Sequence, residues 1–321
     1  MSGDAAPQEA QPRRPAYRLL AITLIAQVIV GAALLIWVAL GRPVPGLAKP
    51  PADGTGLAPH ATVDRFDGDR AWKLLVRQVK VYGPRPAGSA ASRKLATELA
   101  GLLPNGRLEA VGGGLQNVVG ELPGTGAPIV VGAHYDTAVV VPGYLGANDG
   151  AAGTAAVVEL ARVLARTNRG AQAPPIRFVL YDGEELPAGA DGDHFERDAL
   201  RGSKADAATA TKPRAMILLD YIAERRGLNF PRERNSDQQL WARLRAAARQ
   251  VGTQSLFPAT TAVPIIDDHV PYLRRGIPAI DLIDFAYPQA HTKHDDLAHV
   301  SARSLDATGE TVLQLLRSWP S

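Results

Sequence analysis

The chain has 321 residues, a formal net charge of +3 with both signs interspersed, and no cysteine. A disulfide framework, a thiolate nucleophile and a cysteine-rich zinc site are therefore excluded, and the weak mixed charge offers nucleic acid no basic face. Any resident metal must take nitrogen and oxygen ligands, and the nitrogen side offers seven histidines: His60, His134, His194, His269, His291, His294 and His299.

Residues 1–18 form a short polar tail carrying Arg13, Arg14 and Arg18. From Leu19 to Leu40 the chain runs LLAITLIAQVIVGAALLIWVAL without a charge. At about 1.5 Å per residue, a helix of this length crosses a hydrocarbon core of roughly 30 Å. The run exceeds a secretory h-region of about 7–15 residues and no small-x-small cleavage site follows. An uncleaved transmembrane anchor is thus expected, in preference to a long cleaved signal or a buried core helix. Three arginines precede the span and only Arg42 and Lys49 follow nearby, which orients the amino terminus to the cytoplasm and the rest outside. Residues 41–63, rich in Pro and Gly, read as a tether. Residues 64–321 then remain for one large extracytoplasmic domain, whether periplasmic, extracellular or luminal.

Two helical patterns open that domain, at 69–83 and 89–103, with a GPRPAG turn between them. Apolar runs then predict strands at 107–111, 116–122, 127–135, 176–182, 214–222 and 277–284, and helices at 153–167, 237–252 and 304–319. Several strands are apolar on both faces, as when helices cover both sides of a sheet. The alternation predicts an α/β fold, a three-layer α/β/α sandwich with a mixed, mostly parallel central sheet. The segment 107–122 reads as antiparallel additions, and 187–213 as a long loop.

In such sheets ligands bind beyond the carboxyl ends of the strands. There the chain places His134-Tyr135-Asp136, then Asp182-Gly183-Glu184-Glu185, then Asp220. Asp149 lies in a Gly-rich turn opening a helix, and His291 on a loop after the last strand. Singly, each has an ordinary reading: Asp149 as a helix cap, Asp136 and Asp220 as strand-ending polar residues, His134 as a satisfied histidine. Together, several carboxylates on one edge would raise one another's pKa and destabilise the fold unless a cation neutralised them. Two imidazoles with Asp149, Glu185 and Asp220 suit zinc held by nitrogen and oxygen. Asp136 is placed to orient the neighbouring imidazole. Of the paired glutamates, one can bind metal while the other stays free as a general base.

The motifs HYDT, GANDGA, YDGEEL, LLDYI, DDHVPYLRRGIPAIDLI and the later His-Thr resemble the zinc-dependent glutaminyl cyclases and the two-zinc aminopeptidases that share their fold. The likeness runs in order from about residue 65 to the end. It implies an enzyme acting on peptide or protein amino termini, with Asp149, Glu185 and His291 holding the catalytic zinc and Glu184 as acid/base. His134 and Asp220 would complete a second zinc site sharing Asp149 in an aminopeptidase. In a cyclase one ion suffices, and Asp220 joins a hydrogen-bond network behind Glu184. Asp267-Asp268-His269 matches the cyclases, whose first Asp joins that network; a helix cap is the ordinary reading of Asp267. Two cyclase pocket tryptophans have no counterpart, since Ala290 precedes His291 and PAGADGDHF follows the glutamates. The cyclase reading leads, the two-zinc aminopeptidase is its alternative, and a non-catalytic binding ectodomain is the third.

Overall fold

The computed structural model describes residues 56–209 and 211–319. The expected span at 19–40 lies outside them; among the described residues no helix is long and apolar enough to cross a membrane. The last part of the stretch read as a tether lies on the body: Ala58 is buried, and the Thr62 N–H donates to Val251 O at 2.9 Å.

Helix α1 (Gly68–Arg77) ends in a widened turn, Gln78–Tyr82, and is followed by α2 (Ala90–Leu102). The strands are β1 (Arg107–Gly112), β2 (Leu115–Leu122), β3 (Ile129–His134), β4 (Ile176–Tyr181), β5 (Ala215–Asp220) and β6 (Ala279–Ile283). The remaining helices are α3 (Ala151–Ala165), the short α4 (Phe195–Asp198) and α5 (Arg201–Ala207), α6 (Gln238–Gln250), α7 (Val270–Arg274) and α8 (Ala302–Arg317). Segment 187–213, expected to be one long loop, thus contains a helix that packs on the sheet. Four helices start as their sequences dictate: Asp67, Ser89, Asp237 and Ser301 each accept a backbone N–H from the first turn, worth about 1 kcal/mol apiece.

The sheet order is β1-β2-β4-β3-β5-β6. β1–β2 and β2–β4 are antiparallel, while β3–β4, β3–β5 and β5–β6 are parallel. The central strands feed two cores. Val131, Phe178, Leu180, Ile217 and Leu219 face the larger one, with α1, α2, α3, α6 and α8. Val130, Val179, Met216 and Leu218 face the smaller one, with Ala207 of α5 and Tyr272 of α7. Burial on both sides explains why these strands are continuously apolar rather than alternating. Polar side chains on the central strands therefore gather toward the strand ends, and the carboxyl ends carry the residues picked out above.

Candidate metal centre

The turn after β4 is fixed through its backbone. Gly183 sits at φ +77°, and a Cβ there would lie 2.7 Å from Leu115 Cδ1 and 2.9 Å from Arg201 Nε. No other residue meets both constraints. The N–H groups of Leu200 and Arg201 donate to Glu184 O and Gly183 O at 2.9 and 2.8 Å, and Arg201 Nη2 donates to Glu185 O at 2.9 Å. Asp136 accepts the Glu184 and Glu185 N–H groups at 3.2 and 3.3 Å. With the backbone held on both sides, the two glutamate side chains are spared for the cavity.

Two triads of ligand-type atoms converge there, His134–Asp149–Asp220 and Asp149–Glu185–His291, each with its atoms within 4.8 Å of one another. His134 Nε2 is 3.0 Å from Asp149 Oδ1 and 3.4 Å from Asp220 Oδ1. His291 Nε2 is 3.4 Å from Asp149 Oδ2 and 3.6 Å from Glu185 Oε1. Asp149 therefore turns one oxygen to each triad. It is no helix cap: α3 begins at Gly150 without a capping side chain. Both ring nitrogens of buried His134, and Oε1 of Glu185, lack any hydrogen-bond partner. Buried polar atoms without partners are costly, and atoms of this kind gathered at one point fit a cation.

Electrostatics agree. Burial alone would lower the His134 pKa, but the adjacent carboxylates of Asp136, Asp149 and Asp220 hold it well above the usual value. Asp149 and Glu185 raise His291 to about 11. Burial, together with repulsion from Asp149, lifts Glu185 to about 8. The surrounding carboxylates thus favour protonation of both imidazoles, and a divalent ion would discharge the same repulsion.

Glu184 lies beside the triads rather than in them, its Oε2 being 3.9 Å from His134 Nδ1. Burial, then repulsion from Glu185, Asp267 and Asp268, drives its pKa well up. Burial raises Asp220 to about 7, with the adjacent His134 ring pulling against it. Asp267 is buried; its Oδ1 accepts the Asp268 N–H at 2.5 Å, its Oδ2 has no partner, and it caps nothing in α7. Glu184, Glu185, Asp149, Asp220, Asp267 and His291 line one cavity of about 330 Å³, walled by Phe195, Ile265, Ile266, Ile283 and Phe285.

Five residues that sequence reading did not single out support this centre. Tyr144 and Tyr221 both donate to Asp149 Oδ2, at 2.6 and 2.9 Å. Asp295, fully buried, accepts the N–H groups of Asn148 and Asp149 at 2.8 and 3.1 Å and the Tyr287 hydroxyl at 3.0 Å. Tyr287 and Asp295 stand four residues either side of His291, so that bond closes the loop carrying the imidazole. Arg85, also fully buried, donates to the carbonyls of Tyr135, Leu145 and Gly146 at 2.8, 2.6 and 2.8 Å. Burial lowers its pKa to about 10, opposed by Asp149, Asp295 and Asp136, so it stays charged at neutral pH. Tyr221 and His291 both take positive φ, +46° and +54°, where non-glycine residues are uncommon and collect at functional sites.

His60, His194 and His294 are exposed and lie outside the triads, as does His299, which pairs with Asp296 at 2.9 Å. His269 is fully buried instead between Glu233 and Asp281, at 3.4 and 3.7 Å.

The comparisons with known proteins meet this geometry. Residues 117–316 match the model of peptidase family M28. The chain belongs to peptidase family M28. Among its relatives, the mouse glutaminyl-peptide cyclotransferase-like protein is 26% identical over 291 residues, 74% of this chain and 72% of that one. The solved glutaminyl cyclase of Porphyromonas gingivalis superposes with a TM-score of 0.69 at 27% identity, covering 79% of this chain and 99% of that one. A leucine aminopeptidase precursor of Bacteroides thetaiotaomicron gives the same TM-score, 0.69, and the same 27% identity, covering 81% and 100%. The M28 match takes in both triads, Glu184 and Asp267, and the nitrogen-and-carboxylate donor set suits a divalent first-row ion.

Proposed function

We propose that this M28 protein is a zinc-dependent glutaminyl-peptide cyclotransferase, closing amino-terminal glutamine to pyroglutamate with release of ammonia. The observation that carries the reading is the presence of Glu184, its proton affinity raised by burial and neighbouring carboxylates, in the cavity of the Asp149–Glu185–His291 triad. Those three residues would hold the zinc. When bound, it supplies a Lewis acid for the γ-carbonyl.

The chain's own residues do the rest. The carboxylate-rich floor attracts the α-amino end of the peptide. Glu184 accepts the proton that the α-amine loses as its nitrogen bonds to the γ-carbon, and gives one to the departing amide nitrogen, which leaves as ammonia. Asp267 sits close enough to keep Glu184's proton affinity high between the two transfers, and Asp220, lining the same cavity, is itself raised by Asp267. Tyr144 and Tyr221 fix Asp149, and the Asp136 acceptors fix the turn, so the acid/base keeps its distance from the ligands.

A second reading has its own observation. Because Asp149 offers one oxygen to each triad, the site also suits two ions, with water as the nucleophile and Glu184 its base, the arrangement of an aminopeptidase. Ammonia release from a Gln-initiated peptide, set against amine release from a Leu-anilide, separates the two. Cyclisation without anilide cleavage is expected; the reverse, with two zincs per chain, makes the protein a peptidase. Glu184→Gln should retain metal and lose activity by about 10²–10⁴-fold. An active variant would end the acid/base assignment.

Residues 19–40 are proposed to anchor the protein, with the enzyme body outside the cytoplasm. Release of the intact chain by high-salt washing of membranes would refute that.

A further inference from the structure

The cavity is asymmetric. Its ionisable lining consists of five carboxyl groups with His291 and the phenol of Tyr221, and no lysine or arginine lines it. The opposite wall is apolar: Phe195, Pro264, Ile265, Ile266, Ile283 and Phe285. Two of these side chains face water despite their size, Ile266 at 45% and Phe285 at 59% exposure, and Val263 beside Pro264 reaches 58%. Single exposed apolar residues need no explanation, but a group at the mouth of a binding cavity does. The wall is also backed. Tyr221, Ile265, Ile283 and Tyr287 form a small buried cluster of their own, into which Ala290 packs. Ile266 directly follows Ile265 of that cluster, and Phe285 lies in a turn two residues from both Ile283 and Tyr287.

We propose that this wall receives the second residue of a peptide substrate and selects a bulky apolar side chain there, such as leucine or phenylalanine. A free α-amino group is drawn to the carboxylate floor. The peptide must then leave through the mouth, and its second side chain is the first to pass Ile266 and Phe285. An acidic residue at that position would meet apolar surface on one side and Glu184, Asp220 and Asp267 on the other. The inference rests on reading the cavity as a site for peptide amino termini. It is independent of whether the bound end is cyclised or cleaved.

The test uses zinc-loaded Glu184→Gln, which separates binding from turnover, and peptides Gln-Phe-Ala-Lys, Gln-Gly-Ala-Lys and Gln-Glu-Ala-Lys labelled at the lysine. Fluorescence anisotropy should give the Phe peptide an affinity about tenfold above the Gly peptide, with the Glu peptide weakest. Adding Ile266→Ser with Phe285→Ser should collapse the Phe-to-Gly ratio toward one; both sites are exposed, and circular dichroism checks the fold. Equal affinities before those substitutions, or a ratio they leave intact, would overturn the proposal. Turnover by the unsubstituted enzyme is read in parallel. If the ratio holds while no glutamine peptide releases ammonia, the cyclase reading fails and the wall stands. If instead the double substitution turns a dimer into a monomer in gel filtration, or abolishes sedimentation with phosphatidylcholine vesicles, the wall serves a second copy or a lipid surface and the proposal falls.

Discussion

Strand β4 carries clustered carboxylates at both of its ends, and the two clusters are solved in opposite ways. Near its start, Arg177 reaches Glu109 and Asp206 at 2.6 and 2.5 Å and Glu121 at 2.7 Å. Burial alone would lower the pKa of that guanidinium, and Asp206 with Glu109 raises it instead. The negative charge has been answered within the chain. At the far end, Glu184 and Glu185 join Asp149 and Asp220, and the opposing charges are two imidazoles whose protons can leave. The fixed cations nearby, Arg85 and Arg201, spend their donors on carbonyls. A chain that can neutralise carboxylates with arginine, and does so seven residues before Glu184, leaves this end for an ion from outside.

Asp149→Asn attacks that end most directly, since its two oxygens serve both triads. Metal should be lost from both, and activity should fall by at least about 10³-fold, the loss of several kcal/mol of Lewis-acid stabilisation. Metal analysis of the purified variant beside its turnover checks this; full metal content would remove Asp149 from the centre. The matching change at the other end is Arg177→Met. It strands Asp206, whose side chain is only 2% exposed, with the Tyr272 hydroxyl as its remaining partner. Stability should drop by about 3 kcal/mol in urea unfolding, while metal affinity stays unchanged. Weakened metal binding would show that the two ends are not independent.

The same contrast explains what was legible beforehand. Strands read well because the central ones are apolar on both faces, and the six predicted runs each contain one or overlap it to within a residue or two. The ligand set was visible because each member sits just past such a run or in a glycine turn. Arg85 was not: within GPRPAG it reads as an exposed turn residue, and only the folded chain buries it under Leu145 and Gly146. Asp295 was missed because its meaning lies 146 residues away, at the N–H of Asp149. Its regular distance from His291, four residues after as Tyr287 is four before, was the available signal. Helix α5 escaped because its small polar residues carry little periodicity, although Ala207 is buried against the sheet.

Asp295→Asn tests whether these unseen partners matter to the ion. Losing the charge beneath Asp149 while keeping the side chain's size should lower metal affinity by about 10–100-fold, measured by competition with a chelator. A lower melting temperature with unchanged affinity would mean that Asp295 only holds the fold. Tyr287→Phe, which unfastens the His291 loop alone, should show the same direction more weakly.

A third acidic group supplies the smallest effect and calibrates the other two. Asp306 shares an open groove with Asp64, Asp67 and Asp69, and burial, then repulsion from Glu310 and Asp64, raises its pKa to about 7. Arg65 pairs with Glu310 and Arg70 with Asp67 here, but among the described residues no arginine or imidazole forms an ion pair with Asp306 itself. A carboxyl whose folded pKa lies above its unfolded value of about 3.9 stabilises the protein when protonated. The folded state binds more protons than the unfolded chain between those values, so that stability is present below about pH 4 and is lost as pH rises through about 7. Asp306→Asn should flatten this part of the profile and raise the melting temperature at pH 8 relative to pH 5. The gain should be small, because the groove admits water that screens the repulsion. The melting temperature should not respond to zinc through this group: the candidate metal ligands form the two triads, and Asp306 belongs to neither. If removing zinc shifts the pH profile of the unsubstituted protein but not that of Asp306→Asn, the groove is coupled to the metal centre and the division between answered and unanswered charge along this fold is wrong.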